Sequence, residues 1–196
     1  MSPRQSNTRE KIVERARSLL QHHGLDGFSY RDISTHLGIR NAAVHYHFPS
    51  KDDLGLALVE DFASEIERDI EHAQRAGMPP KDQLEVYFQR SHGDASGDHR
   101  ICMFGALATS YSRLSDAMQR AMVRLRSGVH RWLADTLEAG RRSGTLRFVG
   151  DPEAKAAVIA TAIQGARQVN RMSPDDIVAV VIDQLREELY VPTSKE

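Results

Sequence analysis

Apolar side chains recur three and four positions apart along almost the whole chain, while alternating apolar and polar runs closed by turn pairs are scarce. This periodicity predicts an all-α fold of about nine helices. Ile12, Ala16, Leu19 and Leu20 form the first stripe, opened by Asn7 with Glu10 three residues on and closed by Gly24. Ser29 and Asp32 spell a capping box for a short second helix carrying Ile33 and Leu37, interrupted by Gly38. A third short helix runs from about Arg40 to His47, and Pro49 ends it. Ser50 to Asp53 caps a long fourth helix to about Arg75, and a fifth covers about 81–92 after Pro79 and Pro80. The polar stretch Gly93–Asp98 reads as a loop, and Ile101–Tyr111 as one compact apolar helix. Met118, Met122, Leu125, Val129, Trp132 and Thr136 then step along a long helix that stops near Gly140 and Gly144. Asp151-Pro152 and Ser173-Pro174-Asp175-Asp176 open the last two helices, which end near Met172 and Leu189. The ends, 1–5 and 191–196, are expected to fray.

The chain's 196 residues allow one large domain or two small ones, and 40% hydrophobic with 27% charged residues argues against wholesale disorder. A single cysteine, Cys102, excludes an internal disulfide framework and any Cys-rich zinc module. The N-terminal sequence has no apolar h-region and no stretch is apolar enough to span a bilayer, so the expectation is a cytoplasmic protein without a membrane partner. Net charge is −1 overall, but residues 1–51 hold eight Lys/Arg against four acids, +4, and leave −5 to the remainder. His22, His23, His36, His45 and His47 lie in the same basic front. A positive head on an acidic body fits a polyanion-binding head joined to a regulatory body.

Residues 29–51 carry the most specific pattern. Two short helices joined by a few residues with a glycine in the turn make a helix-turn-helix. Such a unit supports its second helix on the first and lays the second in the major groove with its N-terminal residues at base edges. Ile33, Leu37, Ile39 and Val44 are spaced to lock the pair, and small Ser34 permits close approach. Arg40, Asn41, Ala43 and His45 are then expected to project, while Ser29, Tyr30 and Lys51 flank the groove and meet phosphates. An ordinary helical hairpin inside an all-α core has the same spacing.

Residues 9–60 further resemble the N-terminal DNA-binding domain of the TetR family of transcriptional regulators. The resemblance rests on Arg31-Asp32-Ile33, on Leu37-Gly38-Ile39, and above all on Tyr46-His47-Phe48-Pro49-Ser50-Lys51 followed by Leu54. It implies a homodimer with a three-helix DNA-binding head, here 1–52, and a helical ligand-binding and dimerisation body, here 53–196. It also implies phosphate contacts from Tyr46, His47 and Lys51, a base-reading face of Arg40, Asn41 and Ala43, and a packing role for Phe48. Arg40 stands where the family often has a serine cap, His45 where tyrosine is frequent, and Ser34 where alanine is usual. The first two departures alter groove-facing chemistry, so no operator sequence is borrowed.

The other candidate chemistries are thin. His45 and His47 diverge by about 200° around a helix, and His22 and His23 by about 100°, so neither pair shares one ion. No Walker A, G-x-G-x-x-G, G-x-S-x-G or H-E-x-x-H string occurs, and no catalytic residue, metal or cofactor is assigned. Cys102-Met103-Phe104-Gly105-Ala106-Leu107 and Gly144-Thr145-Leu146-Arg147 look like the body of such regulators, which implies an apolar cavity for a small, largely apolar effector. Phe104, Leu107, Tyr111, Met122, Leu125 and Trp132 are its candidate lining, with Tyr87 and Phe88 outside them; a Met and aromatic stripe at this spacing is more often the mark of a core. Cys102, beside His99 and Arg100, is a candidate redox or electrophile sensor or else a buried structural thiol.

Residues 152–189 hold more apolar surface than two terminal helices need against one core, in Val158, Ile163, Ile177, Val181, Leu185 and small Ala157, Ala160 and Ala162. They are expected to pair across a twofold axis, and two heads on that axis require a pseudo-palindromic operator in double-stranded DNA. Two function classes follow: a DNA-binding transcriptional repressor released by an effector, or a helical carrier or enzyme whose hairpin only mimics the motif.

Overall fold

The computed structural model describes residues 3–93 and 101–191. Nine α-helices occupy them: α1 Pro3–His23, α2 Tyr30–Leu37, α3 Asn41–His47, α4 Lys51–Arg75, α5 Pro80–Gly93, α6 Met103–Ala108, α7 Asp116–Arg142, α8 Pro152–Asn170 and α9 Ile177–Leu189. A single 3₁₀ turn, Tyr111–Arg113, separates α6 from α7. Among the described residues the sole strand-like pairing is an isolated bridge between Leu146 and Tyr190.

The chain divides into two compact units. The first joins residues 1–65 to 101–124. Its interior takes Ile12, Ala16 and Leu20 from α1, Ile33 from α2, Val44 from α3, Leu54 and Leu58 from α4, and Met118 from α7, all fully buried. Each such leucine or isoleucine contributes roughly 1.5–3 kcal/mol by leaving water. Arg17 clamps α1 to α4 through Asp61 and Glu65, each at 2.8 Å. The Ile101 amide donates to the Gln21 carbonyl at 3.0 Å, which docks the segment before α6 on the end of α1. At Gly55 an added Cβ would lie 2.6 Å from the Met118 Cε, so α4 and α7 approach closely there.

The second unit joins 66–100 to 125–196. Leu84 and Phe88 of α5, Leu133 and Leu137 of α7, Ile159 of α8 and Val178, Ile182 and Leu189 of α9 make one buried cluster. Arg186 of α9 pairs with Glu85 of α5, and the Tyr190 hydroxyl donates to the same carboxylate at 3.1 Å.

Three local expectations are corrected. α1 begins at Pro3 rather than Asn7, because a proline at the first helical position has no amide to leave unpaired and its φ is already helical. The apolar run 101–111 is not one helix. The Thr109 hydroxyl donates to the Ala106 carbonyl at 2.8 Å and the Ser110 amide to Leu107 at 3.0 Å, and such local bonding ends the helix at Ala108. On α8 and α9, Ile163 and Leu185 are buried in their own unit and Ile177 and Val181 are half-buried. Of the expected surface Ala157 and Val158 do face outward, joined by Val169 on α8 and Val180 on α9, with Val158 54% exposed and Val180 62%.

Candidate nucleic-acid interface

Local sequence chemistry sets the helix-turn-helix in place. Ser29 caps α2: its amide and hydroxyl both donate to the Asp32 carboxylate at 2.7 Å, and the Asp32 amide returns to the Ser29 hydroxyl at 3.4 Å. The Ser29 hydrogen bonds, helped by the charge of Arg15, hold the Asp32 carboxyl below the usual carboxylate range. α2 stops at Gly38, whose φ of 63° lies in the left-handed region that glycine enters without steric cost. The Gly38 amide returns to α2, and Ile39 donates to the Ser34 carbonyl at 3.0 Å.

α3 then starts at Asn41. Arg40 is not its first residue: it keeps extended backbone at φ −71° and ψ 141° and stands as the N-cap without a side-chain cap. Ile33 and Val44 are fully buried between the two helices, and Ser34 is buried with its hydroxyl on the Arg31 carbonyl at 3.1 Å. Leu37 and Ile39 complete the contact half-buried. Phe48 ends α3, 2% exposed, with the Arg9 guanidinium 5.1 Å from its ring centre. A second capping box opens α4, where the Ser50 amide and hydroxyl donate to Asp53 at 2.9 and 2.7 Å.

The outward face of this unit presents Arg40, Asn41, His45 and Tyr46, the last 72% exposed. Ala43 and His47 are half-buried, and Ala42, which spacing did not single out, is exposed. The three flanking candidates have prior engagements. Ser29 is held in its capping box. Tyr30 is buried at 9% exposure, its ring edge-on to His45 at 4.7 Å, and its hydroxyl donates to the Ser50 carbonyl at 2.5 Å. Burial, reinforced by the Asp53 charge, pushes its phenol up to about 12. Lys51 Nζ donates to the Phe28 carbonyl at 2.5 Å and sits 4.6 Å from the Phe28 ring centre. Neither interaction was legible from spacing, because both partners are twenty or more residues away.

The candidate cavity residues are distributed over the two units. Phe104, Leu107, Tyr111 and Met122 belong to the first and Leu125 and Trp132 to the second. Leu107, Met122, Leu125 and Trp132 are buried, Phe104 is half-buried and Tyr111 is 39% exposed. The Trp132 indole donates to the Gln83 side-chain oxygen at 3.3 Å and meets Tyr87 edge-on at 5.9 Å, so it is knit into the core with Phe88. His130 pairs with Glu153 at 2.7 Å. Cys102 is 4% exposed at the N-cap of α6; His99 and Arg100 lie outside the described residues. Among the described residues no three His, Cys, Asp or Glu side chains gather as a metal site, and no helix is long and apolar enough to cross a membrane.

Comparison with known proteins gives consistent results. Residues 12–58 match the family model described as bacterial regulatory proteins, tetR family. The HTH-type transcriptional repressor DhaR of Mycobacterium sp. strain GP1 is 24% identical over 183 residues, covering 90% of this chain and 91% of the relative. The HTH-type transcriptional repressor NemR of Escherichia coli K12 is 26% identical, covering 85% of each. A solved tetR-family transcriptional regulator from Agrobacterium tumefaciens superposes with a TM-score of 0.88 at 29% identity, over 95% of this chain and 100% of its own. Reduced E. coli NemR superposes at 0.81 with 24% identity, over 95% and 98%.

Proposed function

From the premise that this chain belongs to the tetR family of transcriptional regulators, we propose that it is a homodimeric repressor released from a pseudo-palindromic operator by a small, largely apolar effector. The observation that carries the reading is the outward face of α3, with Arg40 and Asn41 exposed at its N-terminal end while Ile33, Val44 and Phe48 fix it from behind. Arginine pairs with the guanine O6/N7 edge and asparagine with the adenine N6/N7 edge, each bidentate. Residues 1–52 act as the head and 53–196 as the body. Tyr46, His47 and Lys51 supply phosphate contacts, which position the head without reading sequence.

The small and apolar exposed residues of α8 and α9 support dimerisation, since Ala157, Val158, Val169 and Val180 have no role in their own unit's core. A twofold pair of such helices makes a four-helix interface and sets the recognition helices about 34–36 Å apart. An effector acts by binding one head spacing better than the other. Its cavity takes Leu107 and Met122 as apolar lining. A helical carrier has no reason to hold duplex DNA, whereas the repressor must release it as salt rises.

The test is binding to DNA flanking the protein's own gene. Wild type is expected to protect a paired half-site, and Asn41→Ala to lose about 1–3 kcal/mol at one base pair per half-site while keeping its salt dependence. Equal affinity for all sequences in both proteins overturns the groove assignment.

A further inference from the structure

On the first unit, α7 and the 3₁₀ turn before it enclose an open cleft of about 380 Å³ lined by Tyr111, Asp116, Gln119, Arg120, Val123 and Arg124. None of these residues lies on the head's outward face, and Arg120, Val123 and Arg124 point away from the buried stripe of Met118 and Met122.

Two features give the cleft a chemistry. Arg120 and Arg124 stand one helical turn apart, about 6 Å along the axis, so their guanidiniums flank one volume. Among the described residues neither has a hydrogen bond or ion pair, although Asp116 stands four residues before Arg120 at a spacing suited to one. Elsewhere Arg17, Arg75, Arg90 and Arg186 each hold a carboxylate. The cleft also has apolar lining: Val123 is 47% exposed and Tyr111 39%. The Gln119 amide is already spent on the Tyr111 and Leu114 carbonyls at 3.1 and 3.0 Å, so it shapes the wall rather than reaching outward. Asp116 leaves the cleft with a net charge of +1 and one free acceptor. A volume of this size falls at the lower end of small-ligand sites, about 300–1,000 Å³.

We propose that this cleft binds a small organic carboxylate with a flat apolar body, its carboxylate on Arg120 and Arg124 and its body against Val123 and Tyr111. Guanidinium matches a carboxylate's planar, two-oxygen geometry, and the tyrosine ring takes an aromatic body at low conformational cost. Occupancy has a route to the head. The wall residue Tyr111 opens the turn that carries Arg113, and Arg113 pairs with Asp26 in the α1–α2 loop at 2.9 Å. The cleft takes Tyr111 from the candidate lining of the apolar effector cavity but neither Leu107 nor Met122, and only its effect on DNA rests on that regulatory reading.

The experiment is calorimetric titration of the full chain with 1-naphthoate, using neutral 1-naphthamide as the isosteric control. Wild type is expected to prefer the carboxylate at least tenfold. Arg120→Gln with Arg124→Gln is expected to lose that preference, and Arg126→Gln, a cation of the same helix outside the cleft, to retain it. Equal binding of naphthoate and naphthamide, no binding of naphthoate at millimolar concentration, or an equal loss in Arg126→Gln overturns the site. A second arm measures duplex DNA affinity with saturating naphthoate. A change of threefold or more that shrinks in Asp26→Asn supports the route to the head, and an unchanged affinity in protein shown by titration to be loaded overturns it. Protein that binds naphthoate but never binds DNA refutes the repressor reading and leaves the site standing.

Discussion

Replacing Lys51 by methionine separates the internal contact that its ammonium group makes from the phosphate contact proposed for it. The substitution keeps the apolar stem against Phe28 and removes the charge. The ammonium has three N–H donors: one points to the Phe28 carbonyl at 2.5 Å, and the charge sits 4.6 Å from the Phe28 ring centre. A hydrogen bond from a charged group contributes about 1.5–3 kcal/mol when its partner is not otherwise satisfied. Half-burial of Lys51 puts the expected loss at the lower end, about 1.5 kcal/mol, or a melting shift of roughly 3–6 °C for a chain of this length. Two donors are left over, and on the proposed function one of them is expected to meet a DNA phosphate. Each phosphate contact contributes about 0.9 to the slope of log affinity against log salt, so a dimer losing two contacts flattens by about 1.8. Between 50 and 200 mM salt the gap between wild type and variant should therefore narrow by about twelvefold. Urea unfolding followed by circular dichroism reads the first effect, and fluorescence anisotropy of labelled duplex across that salt range reads the second. Unchanged stability refutes the internal contact as a stabiliser. An unchanged salt slope refutes the phosphate contact and leaves Lys51 a purely structural clasp.

Tyr30→Phe keeps the buried ring and deletes only the bond to the Ser50 carbonyl, so melting should fall by about 2–4 °C for a loss of about 1 kcal/mol, with DNA affinity at 10 °C within twofold of wild type. A variant that melts normally but binds DNA poorly would put the hydroxyl on the DNA instead. The Asp32 cap gives a pH signature: its carboxyl titrates lower in the folded chain than its ordinary 3.8, so the cap's stabilisation is present above that value and is lost as pH falls through the folded one. Melts taken from pH 6 down to pH 3 should show a stability loss at the acid end that is smaller in Asp32→Asn, and identical pH profiles would refute the cap's contribution. Val158→Glu places a charge on the exposed apolar face of α8 and should convert a dimer of twice 22.0 kDa to monomer by light scattering; a dimer surviving intact would place the interface elsewhere. Cys102, 4% exposed, should react with iodoacetamide at least tenfold slower than free cysteine at neutral pH, and rapid alkylation would favour the sensor reading over the structural one.

How much was legible in the sequence depended on the range of the interactions involved. Caps are local: Ser29 with Asp32, Ser50 with Asp53 and Asp151 before Pro152 each declare a helix start within four residues, and all three stand where spacing put them. The helix-turn-helix was legible for the same reason, since Ile33, Gly38 and Val44 act on one another across a single turn. The break after Ala108 was hidden because Ile101–Tyr111 is apolar enough to satisfy helical periodicity, and the competing hydroxyl of Thr109 reads as an ordinary small residue. Proline at position 3 was an available signal for the true start of α1. The engagements of Tyr30 and Lys51 and the Arg113–Asp26 pair depend on tertiary neighbours, which no periodicity reports.

The close approach at Gly55 makes that position an adjustable spacer. The atoms nearest an added Cβ are the Met118 Cε at 2.6 Å and Sδ at 2.9 Å, the far end of an unbranched, flexible side chain rather than backbone. A larger residue at 55 therefore asks Met118 to swing or shorten before it asks α4 to move. Alanine or serine at 55 combined with leucine or valine at 118 should fold as the present pair does, and alanine at 55 with methionine retained should swing the Met118 thioether aside and leave the helices in place. Descendants of this chain are thus free to retune the seat of α4 through two co-varying interior positions, leaving every groove-facing and cleft-facing side chain untouched.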